Sequence, residues 1–150
     1  MSAARVFKAH NPLAAAVGGA TGLRVDTALK SAEGQLQRMQ EPLQESLRAW
    51  VGEIFALTAG PAPDAARLAW LANGVFGVAG ACDREALARC GALFGRAIEI
   101  MGQGWRADAA RLYAASMVRL LDGASKAEET AVLASLEVMT RRLSQTSAVG

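Results

Sequence analysis

The residue types that most often carry out catalysis are scarce in this sequence. Its single histidine, His10, stands in an irregular N-terminal stretch, whereas a metal site usually needs about three or four converging ligands. No histidine accompanies Cys82 and Cys90 in the helical region, so nothing there is placed to activate a thiol as a nucleophile. The acidic pair Glu128 and Glu129 stands at a predicted helix start, where carboxylates complement the helix dipole. We therefore expect a protein that is not an enzyme and that holds no metal and no other cofactor.

Composition narrows the class of protein and of partner. A chain of 150 residues is the size of one domain, and 52% hydrophobic against 20% charged residues is enough apolar material to build a core. The 16 basic and 14 acidic residues are interspersed, so the net charge of +2 forms no basic stripe for nucleic acid. No run reaches the roughly 18 consecutive apolar residues that a membrane helix needs. The two cysteines favour reduced thiols over a disulfide framework, so we expect a cytoplasmic protein. From the charge distribution and the short apolar runs, we expect it to bind neither nucleic acid nor membrane.

Apolar residues recur at helical spacing along most of the chain, and no segment alternates as a strand does. The longest stripe runs from Val25 to Leu57 in steps of four and three and keeps its phase across Pro42, which predicts one kinked helix. Further helices are predicted from a cap at Asp64 to about Cys82, from Asp83 to Met101, from Arg106 to Leu121, and from a capping box of Ser125 and Glu128 onward.

Short connections between these amphipathic helices predict an all-α, up-and-down bundle of four to six helices. We expect the bundle at residues 25–145, after an N-terminal arm at 1–24 that is flexible or docked, and before a disordered tail at 146–150. The spacing predicts which side chains of the last two helices point inward: Leu112, Tyr113, Met117, Leu120 and Leu121 on one, and Val132, Leu136, Met139 and Leu143 on the other.

The helix from Asp64 to Cys82 lacks the charged outer side that a surface helix normally has. No charged residue stands between Arg67 and Asp83. The predicted outer side consists of Ala69, Trp70, Asn73, Gly77 and Gly80, with Phe76 at its border. Glycines recur every third residue from Gly74, and each costs about 1 kcal/mol of helix stability relative to alanine. This pattern predicts close approach to the helix backbone, either by a partner protein or by another part of this chain.

The same residues suggest a family. The run from Ala72 to Gly80, followed by Leu87 at the start of the next helix, resembles the helix-pair signature of histidine phosphotransfer (Hpt) domains. The positions that match are Ala72, Gly77, Ala79, Gly80 and Leu87. The family's phosphoacceptor histidine falls on Asn73, and its supporting lysine falls on Phe76. The chain also contains, in this order, an N-terminal arm with Phe7 and Lys8, a Gly-Gly turn, the long helix, the glycine-rich helix pair and two closing helices. This order of features is similar to that of the chemotaxis-operon proteins called CheE.

The resemblance implies an Hpt-like bundle from which the phosphotransfer chemistry has been lost. An asparagine amide is not a nucleophile at neutral pH, and a phenylalanine cannot steady a phosphoryl group, whereas a surface that docks receiver domains can persist. We therefore predict a non-catalytic signalling adaptor that binds a response-regulator receiver domain or a histidine kinase in a two-component, chemotaxis-type pathway. The predicted contact residues are Ala69, Asn73, Phe76, Gly77 and Gly80.

Two other functions stay open at this point. In the first, the chain is a self-associating structural or interaction protein, in which the stripe from Val25 to Leu57 pairs with its copy in a homodimer and the glycine-rich helix is internal. In the second, an apolar pocket between helices serves an enzyme or a carrier of a small ligand, because such pockets leave little trace in a sequence.

Overall fold

The computed structural model of the chain describes residues 25–102 and 104–148. These residues form α-helices and no strand, which confirms the predicted all-α bundle. The helices are α1 (Val25–Thr58), α2 (Ala65–Ala81), α3 (Glu85–Met101), α4 (Ala107–Gly123) and α5 (Lys126–Ser147). None of these helices combines the length and the apolar character needed to cross a membrane. The predicted arm at 1–24, with His10, lies outside the described residues.

The chain forms two compact units, the first ending at Gln40 and the second beginning at Glu41. This division falls within α1, which runs as one helix through Pro42. The described part of the first unit is the segment from Val25 to Gln40, and its large apolar side chains are exposed. At the other end of the chain, α5 continues to Ser147, into the segment that was predicted to be a disordered tail.

The core of the second unit is built around α3, which packs against α2, α4 and α5. Its buried side recurs at every turn and includes Leu87, Cys90, Phe94 and Ala97. The ring of Phe94 stacks on the ring of Tyr113 from α4, with the ring centroids 5.4 Å apart. The second half of α1 completes the core with three side chains that are 0–1% exposed: Leu47, Val51 and Ile54. All of the buried apolar side chains among the described residues belong to this unit.

The helix ends follow from local chemistry. The carboxylate of Asp64 accepts a hydrogen bond from the backbone amide of Arg67 at 3.0 Å, as an N-cap residue should. Ser125 and Glu128 form the predicted capping box at the start of α5. The start of α3 differs from the prediction, because Asp83 has a positive φ of 56° and Arg84 precedes the first helical residue. A left-handed residue cannot continue a helix, so α3 begins after the turn.

Two predictions of inward residues were wrong in part. Leu112 is 57% exposed, because Tyr113 beside it takes the inward direction and stacks in the core. On α5, Leu136 and Leu143 are buried as predicted, but Leu133 and Thr140 are buried in place of their neighbours Val132 and Met139. Val132 and Met139 are only half-buried, and together with Leu112 they line an open groove of about 290 Å³ between α4 and α5.

Candidate protein-binding site on helix α2

The orientation of α2 is set by close packing against α3. The inner side of α2 is fully buried and consists of Leu68, Leu71, Ala72, Val75 and Ala79. Gly91 of α3 lies against the backbone of α2, so that a Cβ at this position would be 3.0 Å from the carbonyl oxygen of Ala72 and 3.0 Å from the amide nitrogen of Phe76. Only glycine permits this approach without displacement. Close packing on one side of α2 leaves the opposite side facing outward.

The predicted contact residues share this outward side. Asn73, Phe76, Gly77 and Gly80 are exposed, whereas Ala69 is half-buried and packs against the core. The side chain of Phe76 is 52% exposed, which is a large fraction for a phenylalanine in a folded domain. The side chain of Asn73 stands near α3, where a Cβ on Gly95 would be 4.0 Å from its Oδ1 atom. Four of the five predicted residues are thus accessible to a partner, and Ala69 contributes mainly to packing.

Trp70 is a further exposed aromatic residue on this helix and was not among the predicted contact residues. It is 54% exposed and meets Trp50 of α1 edge to face, with the ring centroids 5.8 Å apart. The guanidinium of Arg67 lies over its ring at 4.6 Å from the centroid and forms a bidentate ion pair with Glu53 of α1. These contacts hold Trp70 in place at the edge of the surface. Its position on the uncharged outer side was the signal that could have identified it.

The three glycines of α2 have different surroundings. A Cβ on Gly74 would be 2.9 Å from Cζ3 of Trp50, so this glycine makes room for a ring of the same chain. A Cβ on Gly77 or Gly80 would meet no atom within 4 Å in the described part of the chain. Gly34 and Gly52 of α1 are equally open. An open glycine is therefore not sufficient to mark a site, and what distinguishes Gly77 and Gly80 is their place beside Phe76.

Phe76, Gly77 and Gly80 line an open depression of about 720 Å³ that continues over the turn into α3. The residues that complete it are Asp83, Glu85, Ala88 and Arg89. The guanidinium of Arg89 is paired with the carboxylate of Glu137 at 2.5 Å. Helical spacing could not reveal this part of the site, since it depends on how the chain turns between α2 and α3.

The groups near the α2 surface that could take part in chemistry include a buried thiol and two exposed carboxylates. The thiol of Cys90 is buried, and burial raises its pKa to about 12, so that it stays protonated and unreactive at neutral pH. Within residues 25–102 and 104–148, no three side chains of histidine, cysteine, aspartate or glutamate converge as a metal site would require. The depression beside Phe76 carries carboxylates at Asp83 and Glu85, but no nucleophile and base face each other across it.

Comparison with known proteins adds no relative. The chain matches no family model, no curated protein and no solved structure. The resemblance to Hpt domains therefore stays a prediction that depends on the residues of α2 and α3.

Proposed function

We propose that this chain is a non-catalytic, Hpt-like signalling adaptor. Its α2 surface, defined here as Trp70, Asn73, Phe76, Gly77 and Gly80, binds a response-regulator receiver domain or a histidine kinase of a two-component, chemotaxis-type pathway. Phosphoryl groups are not transferred, and the protein acts by occupying or localising its partner. The observation that carries the proposal is the exposure of this uncharged, partly aromatic surface on a helix that is otherwise packed into the core.

The composition of the α2 surface suits a protein partner. The cores of protein interfaces are enriched in aromatic residues and depleted in charged ones. Phe76 and Trp70 are each more than half exposed, and no charged residue stands between Arg67 and Asp83. Burying the exposed half of an aromatic side chain is worth about 2–3 kcal/mol at roughly 25 cal/mol per Å². The two rings therefore offer anchors around which a small interface can form.

The absence of phosphotransfer follows from the residues at the Hpt-like positions. Asn73 supplies no nucleophile where the family has histidine, and Phe76 supplies no cation where the family has lysine. Two guanidinium groups beside this surface are already paired, since Arg67 forms an ion pair with Glu53 and Arg89 forms one with Glu137. A phosphoryl group would therefore find neither an acceptor nor an unpaired positive charge among these residues. A receiver domain is the leading partner because the resemblance concerns the helix pair with which Hpt domains dock.

The alternative with an internal glycine-rich helix fits these observations less well. That arrangement requires Phe76 to be part of the core, and the ring is 52% exposed. It also requires close neighbours at Gly77 and Gly80, where the described residues leave open space. Self-association through α1 is a separate matter, because it involves other residues.

The proposal is tested by measuring binding of the full chain to the receiver and kinase domains encoded near its gene, using calorimetry, with and without beryllofluoride as a phosphoryl mimic. We expect micromolar binding that Phe76→Glu abolishes, because the substitution would bury an unpaired charge in the interface. The matched control is Phe55→Glu, since Phe55 is also 52% exposed but stands on α1 and is not part of the α2 surface. Both variants should unfold at the wild-type temperature. Absence of binding to every such domain, or equal loss in both variants, would contradict the proposal.

A further inference from the structure

The described part of the first unit carries an apolar seam that is exposed. Val25, Leu29, Leu36 and Met39 are 55–60% exposed, and together with Leu112 they have the highest values among the large hydrophobic residues that the structure describes. With Ala32 between them, these residues are spaced by four, three, four and three. Such spacing is the a and d pattern of a heptad repeat, in which Leu29 and Leu36 occupy a positions. We call these five residues the α1 seam.

The α1 seam is narrower than the buried side of a helix in a globular core. A core-facing helix usually adds apolar residues at a neighbouring position in each turn, whereas a strict a and d pattern is typical of a coiled coil. Here the neighbouring positions are polar or small, at Ala28, Glu33, Gln35 and Gln40. The heptad spacing extends to Leu43, four residues after Met39, and ends there, because Leu47 departs from it and is buried in the core of the second unit. Leu43 is half-buried, so the exposed part of the pattern is confined to the first unit.

We propose that the α1 seam pairs with the same seam of a second copy of this chain in a two-stranded, parallel coiled coil. Identical seams are self-complementary, because each a and d residue of one helix faces its equivalent on the other. Larger coiled-coil assemblies would also have to cover the flanks, where Glu33, Gln35 and Gln40 are polar. The proposal uses none of the residues of the α2 surface and stands or falls independently of the signalling function.

The flanking charges select the parallel orientation. Asp26 and Glu33 lie on one flank of the seam, and Ala28 and Gln35 lie on the other. In a parallel pair, opposite flanks meet, so Glu33 of one chain faces Ala28 of its copy. In an antiparallel pair, like flanks meet, and Glu33 would face its own copy with a like-charge repulsion. Only the parallel arrangement therefore keeps the carboxylates apart.

The oligomeric state is measured on the full chain by sedimentation velocity, from low to high micromolar concentration. We expect the mass to approach that of two chains for the wild type and to stay at one chain for the double variant Leu29→Glu, Leu36→Glu. The control Ser31→Glu, Gln37→Glu adds the same two charges to exposed positions off the seam and should remain dimeric. A wild type that stays at one chain throughout, a seam variant that still dimerises, or a mass above two chains would overturn the proposal.

Orientation is tested by disulfide trapping of Ala32→Cys in a Cys82→Ser background, which removes the half-buried native thiol and keeps the buried Cys90. Equivalent d positions meet in a parallel pair, so oxidation should link two chains through residue 32. Ser31→Cys, one residue away and off the seam, should not form this link. A dimer that links through residue 31 and not through residue 32 would overturn the parallel arrangement.

Discussion

The carbonyl oxygen of Ala72 lies 3.0 Å from the point at which a Cβ on Gly91 would sit. The two helices that carry these residues thus approach each other backbone to backbone, next to the exposed surface of α2. The same point is 3.0 Å from the amide nitrogen of Phe76, so Gly91 supports the turn of α2 from which Asn73 and Phe76 project. Packing inside the bundle and presentation of the α2 surface are therefore linked at this crossing.

Gly91→Ala should destabilise the fold. The added methyl group would press on backbone atoms of α2, which cannot yield as a flexible side chain can, and overpacking of this kind costs about 1–3 kcal/mol. Gly95→Ala is the matched control on α3, because the added Cβ would be 4.0 Å from the nearest atoms. This variant should be more stable than the wild type by up to about 1 kcal/mol, because alanine has the higher helix propensity. Urea unfolding of both variants measures the difference. Equal stabilisation by both substitutions would show that the helices do not cross this closely.

A second prediction concerns the buried hydroxyl pair of Tyr113 and Thr140, whose oxygens are 2.5 Å apart. The Thr140 hydroxyl also donates to the carbonyl oxygen of Leu136 at 2.8 Å, so its one hydrogen is used and the Tyr113 hydroxyl is the donor in the pair. Thr140→Val should therefore cost about 1–3 kcal/mol, since it strands a buried donor. Tyr113→Phe should cost only about 1 kcal/mol, because Thr140 keeps its bond to Leu136. Urea unfolding should rank the two variants in this order, and the reverse order would contradict the assigned donor.

The features of the fold that could be predicted are those that depend on nearby residues. The caps at Asp64 and Ser125 were predictable because a side-chain oxygen bonds an amide three residues later. Burial of Thr140 and exposure of Leu112 were not predictable, because helical spacing does not show which of two adjacent sides faces the core. That choice is made by the partner helix, here through Phe94 and Tyr113.

The candidate site was predictable to the same extent. The outer side of α2 follows from a period of about 3.6 residues and from the missing charges, which placed Asn73, Phe76, Gly77 and Gly80 together. The role of Gly74 could not be foreseen, since Trp50, the ring it accommodates, is distant in sequence. The part of the depression beyond Gly80 depends on the left-handed conformation of Asp83, and periodicity contains no information about a turn.

The stability of the fold should depend on the ionisation of Glu128. Hydrogen bonds from the backbone amide of Ser125, then from Arg119 and the side chain of Ser125, lower the pKa of Glu128 from 4.5 to about 2. Because the folded pKa lies below the unfolded one, the carboxylate stabilises the fold fully above pH 4.5, and this contribution is lost as the pH falls towards 2. Glu128→Gln should therefore unfold at a lower temperature than the wild type at pH 6. This difference in unfolding temperature should shrink as the pH approaches 2. A gap that stays constant across this range, measured by thermal unfolding at a series of pH values, would contradict the assigned role.

Gly77→Ala should separate stability from binding. The position is in the interior of α2, and a Cβ there would meet none of the described atoms within 4 Å, so the substitution should stabilise the fold by about 0.5–1 kcal/mol. If the α2 surface binds a partner closely, the same methyl group should weaken that complex by about 1–3 kcal/mol, or roughly 5- to 150-fold. Gly52→Ala on α1 is the matched control, because it is equally open and should stabilise the fold without affecting binding. Calorimetric titration of a receiver domain that binds the wild type, combined with urea unfolding, measures both effects. Unchanged affinity in Gly77→Ala would place the partner away from this turn of α2, since a partner packed against the glycine leaves no room for the methyl group.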